Sequence, residues 1–168
     1  MNRIISTVLT ASALIFGVFL PREEAVAQTA KDLVGTWILA SSMLEQGGKK
    51  TDYFGSNPDG QLMFDPNGHF SEVITRSDVP KFASNNRESG TPEENKAAVR
   101  GSIASFGTYS VSETDKVISF HIEGSTFPNR KGIDQKRPFE LSGDELSWTN
   151  PTPSIGSGTV YSIWKRAK

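Results

Sequence analysis

Eight short runs of β-branched and aromatic residues recur along the chain, each closed off by a cluster of Gly, Pro, Asn, Asp or Ser. Such spacing leaves no room for crossover helices between most neighbours, and it dictates strands joined by tight turns. The runs cover roughly 34–45, 60–65, 69–76, 105–111, 117–124, 133–141, 144–149 and 158–166. The strongest hairpin signal is Gln61-Leu62-Met63-Phe64, then Asp65-Pro66-Asn67-Gly68, then His69-Phe70-Ser71-Glu72-Val73. Pro66 presets the turn and Gly68 accepts a positive φ. Two further reversals fall at Ser112-Glu113-Thr114-Asp115 and Ser142-Gly143-Asp144. The predicted fold is all-β, an eight-stranded antiparallel up-and-down barrel whose closure removes its edges.

One segment departs from this rhythm. Thr91-Pro92-Glu93-Glu94 offers a capping residue, a first-turn proline and a glutamate at the third helical position, ahead of Asn95 to Ile103. A short helix is therefore expected between strands three and four, with Val99 and Ile103 forming a narrow apolar stripe. Asp78 to Arg87, with Pro80 and Phe82, reads as a long ordered loop leading into it. The helix either lies over the barrel mouth as a lid or plugs the barrel base.

The first residues carry a different signal. Met1 to Arg3 is a short basic start, Ile4 to Leu20 is largely apolar, and Ala25-Val26-Ala27 has the small-x-small pattern of a cleavage site. Residues 1–27 are read as a signal peptide and residues 28–168 as one domain, with an uncleaved anchor as the other reading. The expected location is periplasmic or secreted. Arg3 and Arg22 balance Glu23 and Glu24, so the processed chain keeps the formal charge of -1. That charge gives no bulk attraction to nucleic acid or anionic lipid. With no cysteine in the chain, a disulfide framework, a thiolate metal site and a lipid-modified cysteine are all excluded.

Leu33-Val34-Gly35-Thr36-Trp37-Ile38-Leu39 places a Gly-x-Trp on the first strand. Further segments accompany it: Tyr53-Phe54-Gly55 before Asn57-Pro58-Asp59-Gly60, Arg76-Ser77-Asp78-Val79-Pro80-Lys81-Phe82, Phe106-Gly107-Thr108-Tyr109 and His121-Ile122-Glu123-Gly124-Ser125. From Leu33 to Lys168 the chain resembles the bacterial and fungal lipocalin-like domain family. The resemblance implies an eight-stranded barrel with a central cavity, and it carries over no defined functional residues. Phe120 stands where relatives are expected to have a second histidine beside His121, and Arg130-Lys131 replaces a more apolar pair.

Alternation along strands selects the candidate residues. Gln135 and Arg137 share a face with Phe139 and Leu141, so Arg137 is expected inside, where a guanidinium must be paired or must serve a ligand. The other reading leaves Arg137 at the rim in water. His121 and Glu123 lie opposite Ile118, Phe120 and Ile122. Apolar alternation sends them to solvent, whereas a polar cavity would bring them beside Arg137 to bind or protonate a carbonyl oxygen. Arg76 sits on a strand mixed on both faces, as suits a cavity wall, and Tyr109 is expected inward with a hydroxyl that needs a partner. Trp37 is expected to pack beneath Arg166 in a structural role.

No phosphate loop, Gly-x-Ser-x-Gly or zinc pattern is present, and the chain holds only two histidines. No cofactor or metal is expected. Two functions follow: an exported protein binding a small apolar or amphipathic molecule in the barrel, or a cofactor-independent cyclase, isomerase or lyase using the same cavity. Arg137, Tyr109, Gln135, His121, Glu123 and Arg76 are the candidate ligand-binding residues.

Overall fold

The computed structural model describes residues 30–168, so the segment read as a signal peptide lies outside the described residues. A single turn, α1 (Ala30–Leu33), leads into β1 (Gly35–Gln46), β2 (Lys49–Asp52), β3 (Pro58–Phe64) and β4 (His69–Arg76). Then follow α2 (Pro92–Arg100), β5 (Ser102–Ser112), β6 (Val117–Ser125), a 3-10 turn at Pro128–Arg130, β7 (Asp134–Ser142), β8 (Glu145–Asn150) and β9 (Thr159–Arg166). From β3 onward each strand pairs antiparallel with its successor, and β1 joins β3 on one side and β9 on the other. The register from Trp37↔Arg166 to Glu45↔Thr159 closes the sheet on itself. Among the described residues no helix is long and apolar enough to cross a membrane.

Eight strands make the wall, and β2 is a ninth that pairs only with Met43 to Gln46 of β1. This short strand corrects the expected helix position. α2 lies between the fourth and fifth strands rather than the third and fourth. β2 escaped the sequence reading because Lys49-Lys50-Thr51-Asp52 is exposed throughout and has no apolar alternation to reveal it.

The turn chemistry is local and follows the sequence. Asp65 Oδ1 accepts the amides of Asn67 and His69 at 2.8 and 2.7 Å, and Gly68 takes φ 88°. Those amides hold the Asp65 carboxyl below its ordinary pKa, the His69 amide foremost. At Gly107 a Cβ would lie 2.0 Å from the His121 carbonyl oxygen, so only glycine fits where the β5–β6 register shifts.

One end of the barrel is solid. Trp37, Leu62, Leu146 and Trp164 are fully buried there. A chain of ring contacts joins Tyr109, Phe64, Phe120, Trp148 and Trp164, with centroids 4.6 to 6.0 Å apart. The Trp37 indole donates to the Leu33 carbonyl at 2.8 Å, and the Arg166 guanidinium lies 4.2 Å from its ring. Arg166 also donates to the carbonyls of Val34 and Asp32, at 3.0 and 2.7 Å. Gly35, at φ 130°, leaves space for this arrangement, since a Cβ would meet Arg166 Nη1 at 3.2 Å.

The opposite end carries α2. Its capping box forms as the sequence predicts: Thr91 Oγ1 accepts the Glu94 amide at 3.2 Å, and Glu94 Oε2 accepts the Thr91 amide at 2.8 Å. Glu94 Oε1 also accepts the Ala83 amide at 2.8 Å, tying the preceding loop to the helix. None of the helix residues is buried, so α2 covers the barrel without filling it.

Candidate functional site

Inward positions change character along each strand. Toward the α2 end, β1 turns in Ser42, β4 turns in Glu72 and Ile74, β5 turns in Ser105, β7 turns in Gln135 and Arg137, and β9 turns in Val160 and Ser162. A bulge between Leu39 and Ser41 shifts the parity of β1, which brings Ser42 inside. Its hydroxyl meets that of Ser162 at 3.3 Å. Small and polar side chains do not fill the space that tryptophan and phenylalanine fill at the other end. The result is a cavity of about 420 Å³, within the range of small-molecule sites.

Its walls are Ile74, Ile103, Trp148 and Val160; Phe54, Phe127, Ile155 and the last turn of α2 from Ala98 to Arg100 surround the mouth. The cavity reaches down to Arg130, Arg137 and Glu72, which also border the packed aromatic layer with Gln135. Arg130, Arg137 and Gln135 are 8%, 5% and 8% exposed. The Gln135 side-chain oxygen accepts from Arg130 Nη2 at 2.5 Å and from Arg137 Nη2 at 2.6 Å. Arg137 Nη1 donates to the Lys136 carbonyl at 3.2 Å, and Arg130 Nη1 donates to Ser105 Oγ at 3.4 Å. Arg130 Nε is buried with no partner.

Two cations thus lean on one neutral amide oxygen. Burial brings the Arg137 pKa down to about 10, opposed by Glu72 and reinforced by Arg130, and the group stays charged at neutral pH. Glu72 faces the same space, and burial raises its pKa against the pull of Arg130 and then Arg137. No direct ion pair within 4.0 Å joins Glu72 to either arginine among the described residues. Desolvated Tyr53, at the mouth, also has a raised pKa.

The structure brings together only two of the six sequence candidates, Arg137 and Gln135. Tyr109 points inward but at the solid end, where its hydroxyl donates to the Asp65 carbonyl at 3.0 Å and its ring packs on Phe64. Arg76 is the last residue of β4, and its side chain is drawn off by a bidentate pair with Asp78 at 2.8 and 2.7 Å rather than lining the cavity. His121 and Glu123 are on the outer surface, as apolar alternation requires, and His121 Nδ1 is 2.7 Å from Asp134 Oδ1 on the next strand. They are not beside Arg137.

The sequence reading overlooked Glu72 and Arg130. Glu72 shares a face with Phe70 and Ile74, which was the available signal. Arg130 belongs to the 3-10 turn, where no period announces direction; its only sign was a charged pair in a connection expected to be apolar. Among the described residues no cluster of three or more His, Asp and Glu could hold a metal ion.

The profile of a lipocalin-like domain matches residues 34–167. Among curated proteins none matches in sequence. Two solved structures are similar in fold. One is the tryptamine complex of the amine-binding protein of Rhodnius prolixus, at 11% identity and TM-score 0.39, covering 80% of this chain and 63% of that one. The other is a mutant of the fluorescent protein UnaG, at 13% identity and TM-score 0.39, covering 83% of this chain and 99% of that one. The chain therefore spans under two thirds of the amine-binding protein's length.

Proposed function

This chain belongs to the lipocalin-like domain family, and we propose that it binds a small amphipathic molecule inside its barrel. The observation that carries this reading is the cavity of about 420 Å³, apolar along its walls and polar at its floor. Apolar walls supply most of the affinity, and a few fixed polar groups orient the guest. Arg137 and Gln135 are the sequence candidates that this reading retains, joined by Arg130 and Glu72.

Trp148 lines the cavity and reports on it directly. Titration with Nile red, a neutral apolar dye, should enhance dye fluorescence and quench Trp148 by energy transfer, saturating at one site. Absence of saturable binding at micromolar dye would reject the reading.

Export is part of the proposal and rests on Met1 to Ala27. N-terminal sequencing of the protein recovered outside the cytoplasm should begin near Gln28; an intact Met1 would remove it. A second reading, cofactor-independent catalysis, draws on Glu72: a carboxyl group whose pKa burial has raised can lend or take a proton inside the cavity. Turnover that survives Glu72→Gln would exclude that role.

A further inference from the structure

The protein's formal charge is -1, yet the charged side chains lining its cavity are Arg100, Arg130, Arg137 and Glu72. The excess inside is positive. Arg100 belongs to the exposed last turn of α2 at the mouth, whereas Arg130 and Arg137 lie at the floor, each over nine-tenths buried. With Glu72 ionised, the floor alone carries one positive charge more than it neutralises; with Glu72 protonated it carries two.

A buried charge is tolerable only when paired and hydrogen-bonded. Here the shared partner is the neutral side-chain oxygen of Gln135. Arg130 Nε is an orphaned buried donor. Its guanidinium lines the cavity, and a guanidinium edge is shaped to receive two oxygens of one anion. A cationic guest would meet net repulsion at this depth, and a neutral one would leave the excess charge uncompensated.

We infer that the cavity selects an amphipathic monoanion, represented by an aliphatic carboxylate, whose head sits on Arg130 and Arg137 and whose apolar part extends between Ile74, Ile103 and Trp148 toward α2. This rests on the binding reading above and adds the charge and direction of the guest. One added negative charge balances the floor when Glu72 is ionised, and the arginines replace the head group's lost water with charge-assisted hydrogen bonds.

The test compares decanoate, decanol and decylamine as competitors for Nile red on the full chain at neutral pH. Decanoate should displace the dye at a concentration at least about tenfold lower than decanol, the size expected for hydrogen bonds to a charged group. Decylamine should be the weakest. In Arg130→Gln the acid-to-alcohol preference should fall toward unity, with a melting curve showing that the variant is folded. Arg137→Gln provides a second measurement should Arg130→Gln not fold. Decanol or decylamine competing as well as decanoate on the unaltered protein would overturn the inference while leaving the binding reading intact. Failure of Nile red and all three competitors to bind would instead sink the binding reading itself.

Discussion

The two ends of the barrel are built from the same strands and finished with different side chains. β1 presents Trp37 at one end and Ser42 at the other; β9 presents Trp164 and then Ser162; β7 presents Phe139 and then Arg137. β1 runs against β9 through both ends, across the bulge between Leu39 and Ser41, whereas its pairing with β3 stops at Ile38↔Gln61. What differs is volume and polarity at inward positions. Large rings interdigitate and leave no space at the α1 end. At the α2 end, serines are too small to meet across the barrel, and the arginines and Glu72 cannot coalesce as hydrocarbon does. Dense packing and open space are thereby separated along one axis.

The sharpest way to break this comparison is to truncate equivalent positions. Trp37→Ala should cost about 3–5 kcal/mol in urea denaturation, because its fully buried ring has no room to be replaced. Ile103→Ala, on the cavity wall, should cost less than about 1.5 kcal/mol and weaken Nile red binding instead. Equal losses at the two positions would mean that the ends do not differ in packing. Next in size, Arg166→Ala removes the lid on Trp37 and two hydrogen bonds to backbone carbonyls. The expected loss is about 1–2 kcal/mol by the same measurement. Arg166→Lys should recover only part of it, since an ammonium cannot reproduce the flat fork.

At the other end, Thr91→Ala removes one half of the capping box, an effect of about 1 kcal/mol on the helix. Because no residue of α2 is fully buried, hydrogen exchange at its amides should speed up while the global unfolding midpoint stays in place. A matching drop in the midpoint would show that the helix belongs to the cooperative core. The smallest effect is a slope. Burial raises the folded pKa of Glu72, so its contribution is complete below the ordinary value of 4.5 and is lost as pH climbs through the folded value. Glu72→Gln should match the native protein at pH 4 and become progressively the more stable of the two above 4.5. Parallel pH profiles would place Glu72 in water instead of the cavity.

The wall was legible because a strand's period is fixed locally: Ile118, Phe120 and Ile122 announce which way β6 faces before any partner is known. For the same reason Arg137 could be placed inside from its phase with Phe139. The site was less legible, since a cavity is defined by side chains converging from distant segments. Tyr109 has the right phase and the wrong depth, and phase alone does not encode depth. His121 and Glu123 satisfied the alternation rule, and only an exception invoked for polar cavities pointed them inward. Arg130 lies on a turn, where direction depends on the tertiary path of the chain. α2 was readable from its cap alone, yet its placement over the mouth depends on which end the aromatic rings fill.

The excursion that carries α2 leaves the barrel after Arg76 and returns at Gly101, and the Arg76 amide donates to the Gly101 carbonyl at 2.7 Å. Thr75 and Ser102 are already paired across β4 and β5. The whole flap therefore hangs from what is otherwise an ordinary hairpin closure: residues 77–100 leave and rejoin the wall at neighbouring positions, and the phase of β4 against β5 is set by the ladder below them. The side chains that the flap lays over the cavity mouth are in this way set apart from the ladder that keeps the chain folded.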